Sequence, residues 1–128
     1  MRQWQINPII MCRKHLMGEH VEHHMFWGSM KKKLSMRGYL DNNLLEPLSL
    51  LERHDTLVAE MLRRGYNHHT PLDFDLQTIQ YLGQIDINTK INRASARNDL
   101  LSRCPLCVQR YNFLLEKGRI EENGTSNS

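Results

Sequence analysis

The sequence predicts an all-α fold: one compact domain built around a long N-terminal helix, with two or three further helices. Three observations carry that prediction. Apolar residues recur at helical steps of three, four and seven. Residues that start and stop helices bracket those runs. No segment alternates apolar and polar residues over a useful strand length.

The first helix begins near Asn7-Pro8. The Asn side chain can satisfy free amides, and a proline costs nothing where the N–H has no helical partner. No proline interrupts residues 9–36, and two apolar series run through them. One is Ile9, Cys12, Leu16, Phe26, Met30 and Leu34; the other is Ile10, Met17, Val21 and Met25. Together they predict a helix over 9–36 buried on more than one side, bent at Gly28 and ended by Gly38. Residues 39–46 read as a loop with Asp41-Asn42-Asn43 as turn chemistry. Pro47 opens a second helix whose stripe is Leu48, Leu51, His54, Val58, Met61 and Leu62. Gly65 closes it, just after Arg63 and Arg64. A loop with His68-His69-Thr70-Pro71 follows, then a short helix over 73–81, an irregular stretch over 83–88, a third long helix over 89–103, and one more from Pro105 to Glu116. Residues 1–117 form the helical domain; 118–128 are a polar, flexible tail.

Composition narrows the function classes. The chain has 128 residues, 40% hydrophobic and 24% charged, enough to bury a core. Lys and Arg total 17 against 14 Asp and Glu, a net charge of +3 that permits a nucleic-acid partner without requiring one. Three cysteines cannot pair completely, which argues against a disulfide scaffold and for a reducing, cytoplasmic setting. No apolar run approaches the ~18 residues of a membrane span, and no apolar stretch follows Met1-Arg2 as in a secretion signal.

The stretch His15-Leu16-Met17-Gly18-Glu19-His20-Val21-Glu22-His23-His24 is the most unusual. On a helix His15, Glu19, Glu22 and Phe26 share one face, while His20 and His24 share another. A zincin helix needs His-Glu-x-x-His, and Glu22 follows His20 by two positions rather than one, so surface or capping histidines are the plainer reading. Cys104-Pro105-Leu106-Cys107 is a Cys-x-x-Cys without the preceding strand of a redox motif. With only Cys12 besides, no four-cysteine site can form. Two half-buried thiols at a helix start are the plain reading, and a mixed Cys/His metal site stays open. No metal or cofactor is expected. Glu22, in mid-helix one turn from Glu19, is the carboxylate whose proton affinity repulsion and burial would raise. Lys31, Lys32 and Lys33 with Arg37, and Arg93, Arg97 and Arg103, form basic groups that are either solvated faces or a phosphate-contacting surface.

Several blocks, in order, resemble one family. Met1-Arg2-Gln3-Trp4-Gln5-Ile6-Asn7-Pro8 is similar to an MR-x-W-x-x-x-P start, and His15–Glu22 to the phage helix HLMAEYRE. Residues 51–67 are similar to the family's second long helix with its KRGFN end. His68, His69 and Leu72 are similar to a YxHHPxL block, and Ser102-Arg103-Cys104-Pro105 loosely to a QRP block. The family is that of the pyrimidine-dimer DNA glycosylases, also called endonuclease V, of phages and bacteria. The resemblance covers most of residues 1–111.

What it implies is a DNA-repair glycosylase with abasic-site lyase activity on damaged duplex DNA, acting as a monomer. The nucleophile would be the N-terminal amine, here that of Met1, and Glu22 matches the catalytic glutamate. Such chemistry suits an α-amine, whose reference pKa of ~7.7–8.0 leaves far more neutral nucleophile than lysine's ~10.4. DNA contacts are expected from Arg2, His15, His20, His23, Lys31, Lys32, Lys33, Arg93 and Arg97. The chain departs from the phage pattern in keeping Met1 before bulky Arg2, in carrying Val21 and Met25 where arginines stand, and in replacing an aromatic C-terminal block with residues 106–111. Two rival readings are a non-catalytic DNA-binding module on the same fold and a metal-stabilised Cys/His interaction protein.

Overall fold

The computed structural model describes residues 1–68 and 70–121. They are helical, with no strand among the described residues. The helices are α1 (Arg13–Lys31), α2 (Arg37–Asp41), α3 (Leu50–Arg63), α4 (Gln84–Ile87), α5 (Arg93–Arg103) and α6 (Pro105–Glu116). Three 3-10 segments, Pro8–Ile10, Pro47–Ser49 and Leu76–Leu82, punctuate them.

The expected first helix over 9–36 is shorter than its apolar pattern. Asn7 does cap its start, accepting from the Ile9 N–H at 3.1 Å, but the turn it opens ends at Ile10. Met11 and Cys12 are extended. Arginines from distant helices bond to the backbone carbonyls at this break. Arg64 donates to the carbonyls of Pro8 (3.0 Å) and Met11 (2.8 Å), and Arg110 to that of Ile9 (2.5 Å). Ile10 and Met11 are both wholly buried. At its other end α1 stops at Lys31, because Lys33 adopts a left-handed backbone (φ 59°). Gly28 lies inside α1 without interrupting it, and Gly38 lies inside α2 rather than ending the first helix.

Gly65 does end α3 as its position suggests. At φ 85° it lets the Tyr66 N–H reach back to the Met61 carbonyl at 2.9 Å. The helix expected over 73–81 is the 3-10 segment Leu76–Leu82, capped by Asp75 through the Gln77 N–H. Asn92 caps α5 four residues later than the apolar pattern indicates, accepting from Ser95 N–H at 2.8 Å.

Two apolar cores result. Trp4, Ile10, Leu16, Leu57, Met61, Leu100 and Leu114 belong to one; Phe26, Met30, Leu40, Leu45, Leu50 and Ile79 to the other. Helices α1 and α3 pack against each other through both. Leu16 shares a core with Leu57 and Met61, and Phe26 with Leu50, so the two helices run antiparallel. Between the cores each helix contributes buried polar residues: Glu19 and His23 from α1, Arg53 and His54 from α3. Of the expected tail, Ile120 is buried in the first core; residues 122–128, like His69 of the histidine block, lie outside the described residues.

Candidate active site

The polar layer between the cores fixes the start of the chain. Residues 2–6 run beside α1 and α3, and several of their backbone groups bond to side chains on those helices. Arg2 N–H donates to Glu22 Oε2 at 3.3 Å, and Trp4 N–H to Glu19 Oε2 at 3.2 Å. The Ile6 carbonyl accepts from Arg53 at 2.6 Å. Arg53 also grips Glu19 with two parallel hydrogen bonds of 2.7 and 2.8 Å. Gln3, wholly buried, donates to His23 Nε2 at 3.0 Å, while its carbonyl oxygen accepts the Glu46 N–H at 2.5 Å. His23 Nδ1 donates to the Glu19 carbonyl at 2.8 Å, since a carbonyl can only accept; this sets the tautomer that leaves Nε2 free to accept from Gln3.

Above this layer opens a cleft of about 430 Å³ lined by Met1, Arg2, Trp4, Lys14, His15, Gly18, Glu19, Glu22, Leu44 and Arg103. Its size is that of a small-molecule site. The Arg2 guanidinium stacks 4.1 Å above the Trp4 ring and pairs with Asp99 at 3.0 Å. Asp99 is in turn held by Arg103. With Glu19 neutralised by Arg53, the remaining charge is mainly positive and suits a phosphate-bearing ligand. Glu22 lines the same cleft and accepts the Arg2 backbone amide. Burial raises its pKa, partly offset by the Arg2 N–H and the N-terminal charge.

The expected site residues divide into three groups. Met1, Glu22, Arg2 and His15 come together in the cleft. His23 does not belong to a DNA-facing surface. It has no exposed surface, both ring nitrogens are used internally, and burial pushes its pKa down to about 4. It positions Gln3 instead. His20 is turned to the other side of α1. There burial, then repulsion from His54, His68 and His24, lowers its pKa to about 4, which removes the positive charge a phosphate contact would use.

The remaining basic residues lie outside the cleft lining. Lys31, Lys32 and Lys33 follow Glu22 by roughly 14 Å along the helix axis. Lys31 pairs with Asp73 at 3.6 Å, and Lys33 donates to the Thr78 carbonyl at 2.5 Å; Lys32 is exposed. Arg93 pairs with Glu46 at 2.9 Å, and Arg97 is half-buried on α5. Trp4, Lys14 and Leu44 line the cleft without having been singled out from the sequence. Lys14 precedes His15, whose place on the Glu22 face is the signal that could have found it.

Two groups among the described residues bring metal-binding side chains together: Cys12, His15, Cys104 and Cys107, and His20, His24, His54 and His68. No helix of the described residues is long and apolar enough to cross a membrane.

Comparison with known proteins returns one family. The model of the family described as pyrimidine dimer DNA glycosylase matches residues 1–74, which carry Met1, Glu22, the buried polar layer and α3. No curated protein and no solved structure matches the chain.

Proposed function

Since the chain belongs to the pyrimidine dimer DNA glycosylase family, we propose that it cuts the base–sugar bond of the 5′ base of a pyrimidine dimer in duplex DNA, the freed base staying joined to its 3′ neighbour, and then cleaves the strand. In this reading the Met1 amine is the nucleophile and Glu22 the proton carrier. The observation that carries it is that Glu22 Oε2 accepts the Arg2 N–H at 3.3 Å, one residue from Met1, in a cleft that both line.

The neutral amine attacks C1′ and the base–sugar bond breaks; the base leaves with the electron pair and takes up a proton. The bound nitrogen gives up a proton, the C1′–O4′ bond opens with O4′ protonated, and an imine forms between Met1 and C1′. That imine acidifies the C2′ proton. Its removal sends the electron pair toward the imine and expels the 3′ phosphate, and water then releases the enzyme. Glu22 takes and returns protons in these steps and balances positive charge on the sugar. Arg2, Lys14 and Arg103 hold the flanking phosphates. A damaged duplex bound to a monomer, wherever the cell keeps its DNA, completes the reading. Stacking is weakest at a lesion, which favours displacing a base there.

Borohydride reduction in the presence of a dimer-containing or abasic duplex tests this directly. A covalent protein–DNA adduct is expected, and N-terminal acetylation should abolish it. An adduct that survives acetylation would remove Met1 from the mechanism. Salt-sensitive binding with neither adduct nor strand cleavage would leave a non-catalytic DNA-binding module.

A further inference from the structure

We propose that Cys12, His15, Cys104 and Cys107 hold a structural zinc ion. The sequence supplies a Cys-x-x-His at the start of α1 and a Cys-x-x-Cys at the junction of α5 and α6; Cys12 and Cys104 are 92 positions apart. The fold brings all four ligand atoms within 4.8 Å of one another. Cys12 Sγ is 3.8 Å from Cys104 Sγ and 3.3 Å from His15 Nδ1, and Cys107 Sγ is 3.8 Å from the same nitrogen. A tetrahedral zinc with Zn–S of about 2.3 Å and Zn–N of about 2.0–2.1 Å needs S···S separations of about 3.8 Å and S···N of about 3.6 Å. The observed edges match those lengths. A disulfide would need sulfurs at about 2.05 Å.

Backbone amides also face the sulfurs. Cys12 N–H donates to Cys107 Sγ at 3.2 Å and Cys107 N–H to Cys104 Sγ at 3.4 Å. Such bonds stabilise thiolates bound to a metal. All four tetrahedral positions are filled by protein, which leaves none for water or substrate and makes the ion structural. It would tie α1 to the α5–α6 corner and brace His15 in the cleft wall. Such an ion departs from the metal-free expectation drawn from the sequence.

An independent observation points to a second site, held by His20, His24, His54 and His68. Their ligand nitrogens also lie within 4.8 Å of one another, although the residues come from α1, α3 and the loop after it. The His54 and His24 Nε2 atoms are 3.2 Å apart, close to the roughly 3.3 Å edge of a tetrahedral imidazole site. Asp55 accepts from His54 Nδ1 at 2.9 Å, the carboxylate–histidine arrangement that aims the other nitrogen at a metal. His20 Nε2 is buried with no hydrogen-bond partner among the described residues. An all-imidazole set takes zinc or another divalent transition ion.

Elemental analysis of the untagged protein, together with cobalt substitution, tests both. Two metal ions per chain are expected. Cys104→Ser with Cys107→Ser should lower this to one and remove thiolate-to-cobalt charge-transfer absorption. His24→Ala with His54→Ala should also lower it to one while keeping that absorption. If the cysteine variant fails to fold, cobalt exchanged into the wild-type protein reads the thiolate signature directly. Metal-free protein that binds no cobalt overturns both sites. A single ion unaffected by the cysteine substitutions overturns the first. A single ion that persists with its thiolate absorption after histidine substitution overturns the second alone. Measuring the metal in Glu22→Gln protein keeps the result separate from catalysis.

Discussion

Glu19 and Glu22 stand one turn apart on α1 and receive backbone amides from the same N-terminal segment, yet their surroundings differ. Glu19 is wholly buried and saturated: both oxygens take Arg53 and one also takes the Trp4 N–H. Glu22 is half-buried, accepts the Arg2 amide and faces the cleft. The first carboxylate's interactions serve to hold the chain; the second keeps capacity for a proton or a developing charge. A single helical turn thus separates a saturated carboxylate from one with capacity left, and substitutions should separate them too.

Glu22→Gln should show the largest effect, a roughly 10²–10⁴-fold loss of strand cleavage with thermal stability nearly unchanged, read from single-turnover rates and a melting curve. Comparable loss of stability would mean that Glu22 is scaffold as well. Glu19→Gln should do the reverse. It leaves the Arg53 guanidinium buried without its anion, at a cost of about 3–5 kcal/mol, or a fall in Tm of roughly 10–20 °C. Gln3→Leu sits between: it strands His23 and the Glu46 N–H, which should cost about 1–3 kcal/mol in chemical denaturation. Its activity should fall more than that if the first residues lose their register.

Smaller effects should come from the rim. Asp99→Asn weakens the grip on Arg2 at a partly exposed pair, worth less than about 1 kcal/mol, and should appear as a few-fold rise in KM. Replacing Lys31, Lys32 and Lys33 with Ala should leave chemistry intact. If they touch DNA, the salt slope of duplex binding falls by about 1 for each phosphate no longer held. An unchanged slope would confine DNA binding to the cleft side.

The parts legible in the sequence were those decided locally. Gly65 ended α3 because a left-handed residue was required there, and a glycine after two arginines announces it. Pro105 started α6 because a first-turn N–H has no helical partner, so a proline loses nothing there. The break at Met11-Cys12 was hidden, because the carbonyls beside it are bonded by Arg64 and Arg110 from far along the chain. The histidines show the same limit. His20 and His23 look alike on a helical wheel, and only packing makes His23 a partner of Gln3 and His20 a member of a four-imidazole cluster. Glu22 stands out by its spacing from Glu19 on the helix, whereas Met1 was paired with it only through family resemblance, since residues at opposite ends of an unfolded segment carry no sign of sharing a cleft. Cys-x-x-His and Cys-x-x-Cys likewise become one group only through the fold.

The anchoring of residues 2–6 has a practical corollary. The amides of Arg2 and Trp4 are committed to α1, so no slack exists to thread an added peptide past the cleft. An affinity tag or fusion partner placed ahead of Met1 would turn the proposed nucleophilic nitrogen into an amide and crowd the cleft that Met1 lines. Attachments belong after Glu121, on the far side of Ile120's anchorage.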